Sequence, residues 1–436
     1  MLPILELLER LNRFLWGLPV LLLLAAAHLT FTIRLKFPQK YTFHAIRLSV
    51  TPESGQKGSG LSGFAALATT LAATLGTGNI IGVSTAIAVG GPGALFWCWI
   101  TGILGMATCY AECYLSMLFR CKRSDGTMAG GPMYVLERGL HSRPLGRVYA
   151  ACALTASFGV GCTTQASAIT EAVNTLVPVS PHLVGILAAV AAGLVILGGI
   201  RSIGAFCTRM VPALGFFYIA CCLFLMLQNR DTLPSACTLI LESAFTPRAA
   251  AGGFIGSTFL SAARYGIARG LFTNEAGIGT AAIAAGSSDS ADPRRQALIS
   301  MTAVFWDTVV MCAVTGLVIV SSILKYPSSI QGYNQASLTT AAFTFLPFAG
   351  SEILSLSLVA FALTTLIGWC YYGEKASEYL FGAGSLVSYH LCYIVMIYIG
   401  AVLPMELVWS LTDLINAVMV FPSCLALFAL RKKVKI

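Results

Sequence analysis

Leu75-Gly76-Thr77-Gly78-Asn79 and Thr273-Asn274-Glu275-Ala276-Gly277-Ile278-Gly279 each interrupt an apolar run, about two hundred residues apart. Backbone polar groups freed by such an interruption are tolerated at membrane depth only where they are buried in protein or line a cavity. Paired breaks at corresponding places in two halves of a chain point to the central site of a secondary transporter. The reading of the whole sequence turns on whether its composition and loop charges support that pairing.

The chain has 436 residues, 57% hydrophobic and 10% charged, with a mean hydropathy of +0.80. Soluble domains carry about 25% charged residues, so this is an all-α polytopic membrane protein embedded in a lipid bilayer. The net charge of +9 does not imply nucleic-acid binding, because the basic residues sit in short loops where they set topology. The 14 cysteines lie mostly singly in apolar stretches. They show neither a disulfide framework nor metal-ligand spacing.

Hydrophobic runs of about 20 residues predict about 11 transmembrane helices. The first falls near 14–33, followed by 60–89, 92–118, 146–177, 183–200, 207–228, 252–286, 297–324, 338–373, 385–402 and 405–430. A signal-peptide reading of the first run competes, with Arg10 and Arg13 as an n-region. The run continues to Ile33, however, and Arg34, Lys36, Lys40, Arg47 and Lys57 follow it. That bias orients it as a retained helix with its N-terminus outside. Twenty of the 27 Lys and Arg then fall in inside loops and five in outside segments, including Arg230, Arg248 and Lys325. The C-terminus is cytoplasmic, and the expected location is a bacterial-type plasma (inner) membrane.

Residues 1–59 form an extra N-terminal transmembrane helix and cytoplasmic linker. The remaining ten spans divide into halves at 60–229 and 250–431. Five spans per half is odd, so the second half is inverted relative to the first. Each break falls in the first helix of its half.

Where a helix unwinds, the following half-helix offers free N–H groups and a positive dipole end to an anion. Thr77 and Gly78 amides are therefore candidates for a substrate carboxylate, while the carbonyls from Ala72 to Leu75 suit an ammonium group or Na⁺ and Asn79 adds an amide oxygen. A close-packed crossing of small residues is the bland alternative. Phe272, Thr273, Gly277 and Ile278 form a complementary rim, in which Glu275 is read as holding the unwound backbone.

Further motifs carry a family resemblance: Gly76-Thr77-Gly78-Asn79-Ile80, Gly90-Gly91-Pro92-Gly93-Ala94, Ala111-Glu112-Cys113, Gly130-Gly131-Pro132-Met133-Tyr134, Asn274-Glu275-Ala276-Gly277, Ile367-Gly368-Trp369-Cys370-Tyr371-Tyr372-Gly373-Glu374 and Leu411-Thr412-Asp413-Leu414-Ile415-Asn416. Spread over residues 60 to 430, they resemble the alanine/glycine:cation symporter family. The resemblance implies a leucine-transporter fold that carries small amino acids with sodium, sometimes with protons. It implies a sodium site at carbonyls of Ala72, Leu75 and Phe361 and hydroxyls of Thr364 and Thr365. The alternative for those two threonines is a bond to carbonyls one turn back. Gln165 stands where the family has a substrate-facing glutamine, although its surroundings match less well. Trp369, four residues after Thr365, shares its helix face and is expected to limit pocket size; an interfacial-belt Trp is the alternative.

Glu112, Asp307 and Asp413 are read as bridging helices or pinning loops, with Asp307 also a candidate for modulating coupling. Arg269 is a candidate outer gate. Gly58-Ser59-Gly60-Leu61-Ser62-Gly63 fits GxGxxG, but no strand precedes it. The Ser62 segment also resembles an intramembrane serine-protease motif, with His390 as the only deep histidine; a helix-cap role for Ser62 is favoured. The expected function is sodium-coupled uptake of alanine or glycine, without organic cofactor or required oligomer. Another small zwitterion or proton coupling is the main rival, ahead of a channel or an enzyme.

Overall fold

A computed structural model describes residues 2–16, 18–53, 61–123, 126–246, 259–330, 337–403 and 405–436. Lys57, Gly58 to Gly60, Arg248 and the first residues of the expected 252–286 helix lie outside these. The described chain is almost entirely helical, with one short antiparallel hairpin pairing Cys121–Lys122 with Met128–Ala129. Among the described residues, seven helices are long and apolar enough to cross a membrane, or nine if each of two bent pairs counts as one span. One bent pair is Gly63–Thr74 with Gly78–Gly90, turned by 53°. The second interrupted segment is Phe259–Asn274 followed by Thr280–Gly286.

Sequence punctuation explains several helix starts. Pro132, Pro144, Pro181, Pro234 and Pro293 stand in first turns, where a missing N–H costs nothing. Asp292 adds a side-chain cap, accepting from Arg294 N–H at 2.9 Å. Small residues then set the crossings. A Cβ on Gly270 would lie 3.1 Å from the Cys98 carbonyl, and one on Gly266 2.8 Å from Trp97 Cβ. These two glycines, one helical turn apart, seat Phe259–Asn274 against Gly93–Phe119. Gly368 does the same for Gly350–Phe381, where a Cβ would lie 2.7 Å from Ala73 N.

The helices Gly93–Phe119 and Gly350–Phe381 have 67% of their apolar window buried, against 22% for Gly199–Gln228. The former two are therefore central and the last peripheral. Its exposed Phe216, Phe217 and Leu227 fit contact with lipid tails.

Four boundaries differ from expectation. Separate helices Leu2–Leu15 and Leu18–Arg34 replace the first run. The expected linker after it folds as Pro38–Tyr41 and Thr42–Val50, bent 65° from the preceding helix. An apolar helix, Leu233–Phe245, fills the gap between the expected halves. The expected 338–373 helix is divided into Leu338–Phe343 and Gly350–Phe381. Pro347 interrupts the ladder there, and Phe348 and Ala349 turn left-handed at φ 68° and 64°.

Candidate functional site

The helix Gly63–Thr74 stops where Leu75 turns extended, at φ −71° and ψ 95°. In a continuous helix Gly76 N–H would bond the Ala72 carbonyl; here it donates to Asn79 Oδ1 at 3.0 Å. Asn79 Nδ2 donates to the Asp307 carbonyl at 3.0 Å and its carboxylate Oδ1 at 2.8 Å. Thr308 Oγ1 donates to the other Asp307 oxygen at 2.8 Å. The expectation that Asn79 offers its amide oxygen to a substrate is thus corrected: the amide staples the break to a neighbouring helix. A side chain at position 76 would meet Thr365 Oγ1 at 2.8 Å, so this close approach requires glycine.

The second break follows a different local logic. Glu275 adopts φ 54°, and Gly277 and Gly279 adopt 100° and 94°. Asn274 Oδ1 accepts from Ala276 N–H at 3.0 Å, and Thr280 Oγ1 donates to Glu275 Oε2. The Glu275 carboxylate thus ties the break to the first residue of the following half-helix. Gly277 lies against Leu24, and the Ile278 carbonyl accepts from Tyr149 OH at 2.9 Å. Gly277 and Ile278, expected at the substrate rim, pack away from the cavity because the left-handed turns direct them to these neighbours.

Between the breaks lies a small cavity of about 30 Å³. The first break lines it with Thr74, Gly76, Thr77 and Gly78, the second with Phe272, Thr273 and Glu275. Ala73, Val160, Gln165 and Thr365 complete the wall. A single water needs roughly 10–15 Å³ of such space, so the chamber suits only a compact ligand. Two buried polar atoms in this wall, Gln165 Oε1 and Thr74 Oγ1, have no hydrogen-bond partner. Gln165 Nε2 meanwhile donates to the Val160 carbonyl at 3.2 Å, which fixes the amide.

Trp369 does not line this chamber. It is 1% exposed, presses on Gly161 and meets Tyr372 edge-on at 5.5 Å between centroids. Its expected role as the pocket's size limit is corrected: position 369 faces the helix carrying Gly161, whose missing side chain makes room for the indole.

Of the residues named for sodium, Leu75 and Thr365 meet where Gly350–Phe381 crosses the first break. Thr365 Oγ1 donates across to the Leu75 carbonyl at 3.3 Å, whereas Thr364 Oγ1 donates to the Phe361 carbonyl at 2.7 Å, the bond one turn back within its own helix. The Ala72 carbonyl has lost its ordinary helix donor to Asn79. These are uncharged oxygens, the donor set expected for a hard cation.

The other polar residues resolve individually. Ser62 caps Gly63–Thr74, accepting from Ala65 N–H at 3.1 Å, while His390 pairs with Glu374 at 3.2 Å. Glu112 accepts from Ser423 Oγ at 3.1 Å. Asp413 receives Trp16 Nε1 on its backbone carbonyl at 2.8 Å. Sequence reasoning missed the Thr74 hydroxyl and Val160 as lining groups. Thr74 was detectable as a hydroxyl immediately before the break.

The family model "Sodium:alanine symporter family" matches residues 2–436. The sodium/alanine symporter AgcS of Methanococcus maripaludis is 40% identical, over 98% of this chain and 94% of its own length. The probable sodium/glutamine symporter GlnT of Bacillus subtilis is 33% identical, over 97% and 87% respectively. Among solved structures, a Na⁺-coupled sialic acid symporter in a substrate-bound outward-open state superposes with a TM-score of 0.61 at 13% identity. It covers 97% of this chain and 87% of that one, a likeness in fold alone. The chain is a multi-pass membrane transporter, not an enzyme, and it belongs to the sodium:alanine symporter family.

Proposed function

We propose that this transporter couples inward sodium movement to uptake of a small neutral amino acid, alanine or glycine. The observation that carries the reading is Gln165 Oε1, a buried acceptor without a partner in a chamber between two broken helices. Burying such an atom unpaired costs roughly 1–3 kcal/mol, a penalty that an incoming ammonium removes. The α-carboxylate lies on the Thr77 and Gly78 amides at the positive end of the second half-helix. The ammonium takes Gln165 Oε1 and Thr74 Oγ1, with Phe272 and Thr273 closing the chamber. Its small volume favours glycine and alanine over longer side chains. Glutamine is the second reading, favoured by the 33% identical GlnT relative.

Sodium binds at the Ala72, Leu75 and Phe361 carbonyls with the Thr364 and Thr365 hydroxyls. It orders the same unwound turn that receives the carboxylate, so sodium and amino acid each raise the other's affinity. About 11 spans, with inverted halves at 60–229 and 250–431, an outside N-terminus and a cytoplasmic C-terminus in a bacterial-type plasma membrane, complete the reading. Equilibrium binding of radiolabelled alanine in sodium versus potassium buffer tests it, with glycine, serine, leucine and glutamine as competitors. Sodium-dependent binding displaced by glycine but not leucine is expected. Binding indifferent to sodium would overturn the coupling, and preferential displacement by glutamine would overturn the substrate.

A further inference from the structure

The chain leaves the helix Leu18–Arg34 through an elbow rather than a plain loop. Lys36 and Phe37 take φ 53° and 61°, a left-handed region that residues with a side chain rarely occupy. Phe37 N–H donates to the Thr32 carbonyl at 2.8 Å, which fixes the turn. The helical segment that follows, Pro38–Val50, runs 65° away from the preceding helix. It therefore lies closer to the membrane plane than to the direction of crossing.

The two faces of this elbow helix differ. Thr42 and Ala45 are buried against the protein. Phe43, Arg47 and Val50 recur at helical spacing on the other face, with Phe43 82% and Val50 70% exposed. An exposed apolar face interleaved with basic residues fits the boundary between headgroups and acyl chains. Lys36, Lys40 and Arg47 are all exposed, and among the described residues no ion pair engages them. Glu53, the acid nearest to them along the chain, is engaged with Arg295. The basic C-terminal tail adjoins the same patch, because Arg34 Nε donates to the Arg431 carbonyl at 2.8 Å.

One residue ties the elbow helix to the core. Arg295, in the first turn of Pro293–Val304, donates from Nη2 to the Leu48 carbonyl at 3.2 Å and to the Thr51 carbonyl. Its Nε lies 3.6 Å from the Glu53 carboxylate. A cleft of about 370 Å³ beside it is walled by Leu48 and Val50 on one side and by Ser62, Gly63 and Phe64 on the other. The end of the elbow helix thus borders the start of Gly63–Thr74, the helix whose break lines the central chamber.

We propose that the elbow helix is a binding surface for anionic phospholipid. Lys36, Lys40 and Arg47 take the headgroup phosphate, Phe37 and Phe43 enter the acyl boundary, and Arg295 transmits the anchored position to the start of Gly63–Thr74. Basic residues after a span also set its orientation, but that role asks for neither an exposed Phe43 nor the contacts of Arg295. The lipid site rests only on the chain's embedding in a bilayer. Its effect on uptake rests on the amino-acid reading of the central chamber.

The test is native mass spectrometry of the purified full chain with phosphatidylglycerol and phosphatidylcholine of the same acyl chains in equal parts. Sodium-driven alanine uptake is measured beside it, in vesicles of phosphatidylcholine alone or mixed with phosphatidylglycerol. The wild type should retain phosphatidylglycerol in preference and take up alanine several-fold faster in the mixed vesicles. Combining Lys36→Gln, Lys40→Gln and Arg47→Gln should reduce that preference by roughly tenfold or more. Combining Lys36→Arg, Lys40→Arg and Arg47→Lys, which keeps the charge, should preserve it. Arg295→Met should still retain the lipid, yet its uptake should no longer respond to phosphatidylglycerol. Equal retention of the two lipids by the wild type, or a preference untouched in the Gln variant, would overturn the site. Loss of preference in the charge-keeping variant as well would overturn charge as its basis. Displacement of the lipid by free glycerol phosphate would assign the patch to soluble phosphates instead. An uptake response that survives Arg295→Met would overturn the link to the core. Absence of wild-type uptake in every lipid would overturn the central reading, and lipid retention would still decide the elbow.

Discussion

Gly76 donates its backbone N–H to Asn79 Oδ1 at 3.0 Å, so the side chain that follows the break closes the ring that would otherwise be a helical turn. The same amide reaches Asp307 through Nδ2 at 2.8 Å. One residue therefore opens the helix, compensates the lost backbone bond and anchors the opening to another span.

Asn79→Ala should lower both thermal stability and sodium-dependent uptake, because it leaves Gly76 N–H and the Asp307 carboxylate without these partners. Each buried group so exposed costs roughly 1–3 kcal/mol. Thermal unfolding of the purified protein, set beside uptake kinetics, checks this. An altered KM at unchanged thermal stability would return Asn79 to the substrate.

Gln165→Ala should behave in the opposite way. Its Oε1 has no internal partner, so the fold loses little while alanine affinity falls by roughly tenfold, equivalent to about 1.4 kcal/mol. Binding isotherms with a parallel melting curve separate the two effects. A large drop in melting temperature would show that Gln165 acts chiefly in packing.

Thr365→Val should raise the sodium concentration needed for half-maximal uptake by about tenfold, since it removes one hydroxyl beside the Leu75 carbonyl. Thr365→Ser should stay near wild type. Titrating sodium at saturating alanine is the measurement, and an unchanged sodium curve in Thr365→Val would remove this residue from the cation site.

Trp369→Ala should not widen substrate choice, because the indole packs against Gly161 outside the chamber. Truncating a buried Trp costs about 3–5 kcal/mol, so reduced thermal stability is the expected outcome. Competition by leucine and phenylalanine decides the point. Newly acquired leucine transport would place the ring at the pocket after all.

The breaks themselves were legible because glycine and amides are conspicuous in apolar sequence, and the span pattern follows from hydropathy. The direction in which each break faces was not legible. Gly277 and Ile278 sit in a motif as polar as Gly76 to Gly78, yet left-handed turns at 277 and 279 aim them at Leu24 and Tyr149. Trp369 shares a helix face with Thr365 by spacing, but helix crossings at Gly161 and Gly368 decide which part of that face meets the cavity. The divided 338–373 segment had a visible cause in Pro347, whereas the Leu233–Phe245 helix lay in a stretch assigned to a connection between halves.

Charge transport bears on the central claim most directly. A zwitterion carries no net charge, so sodium symport moves at least one positive charge inward, worth about 2.3 kcal/mol per 100 mV. A tenfold sodium gradient adds about 1.4 kcal/mol. Alanine uptake into proteoliposomes should therefore require an inward sodium gradient and accelerate when a potassium diffusion potential makes the interior negative. Uptake that proceeds equally without sodium, or that ignores the membrane potential, would contradict the account.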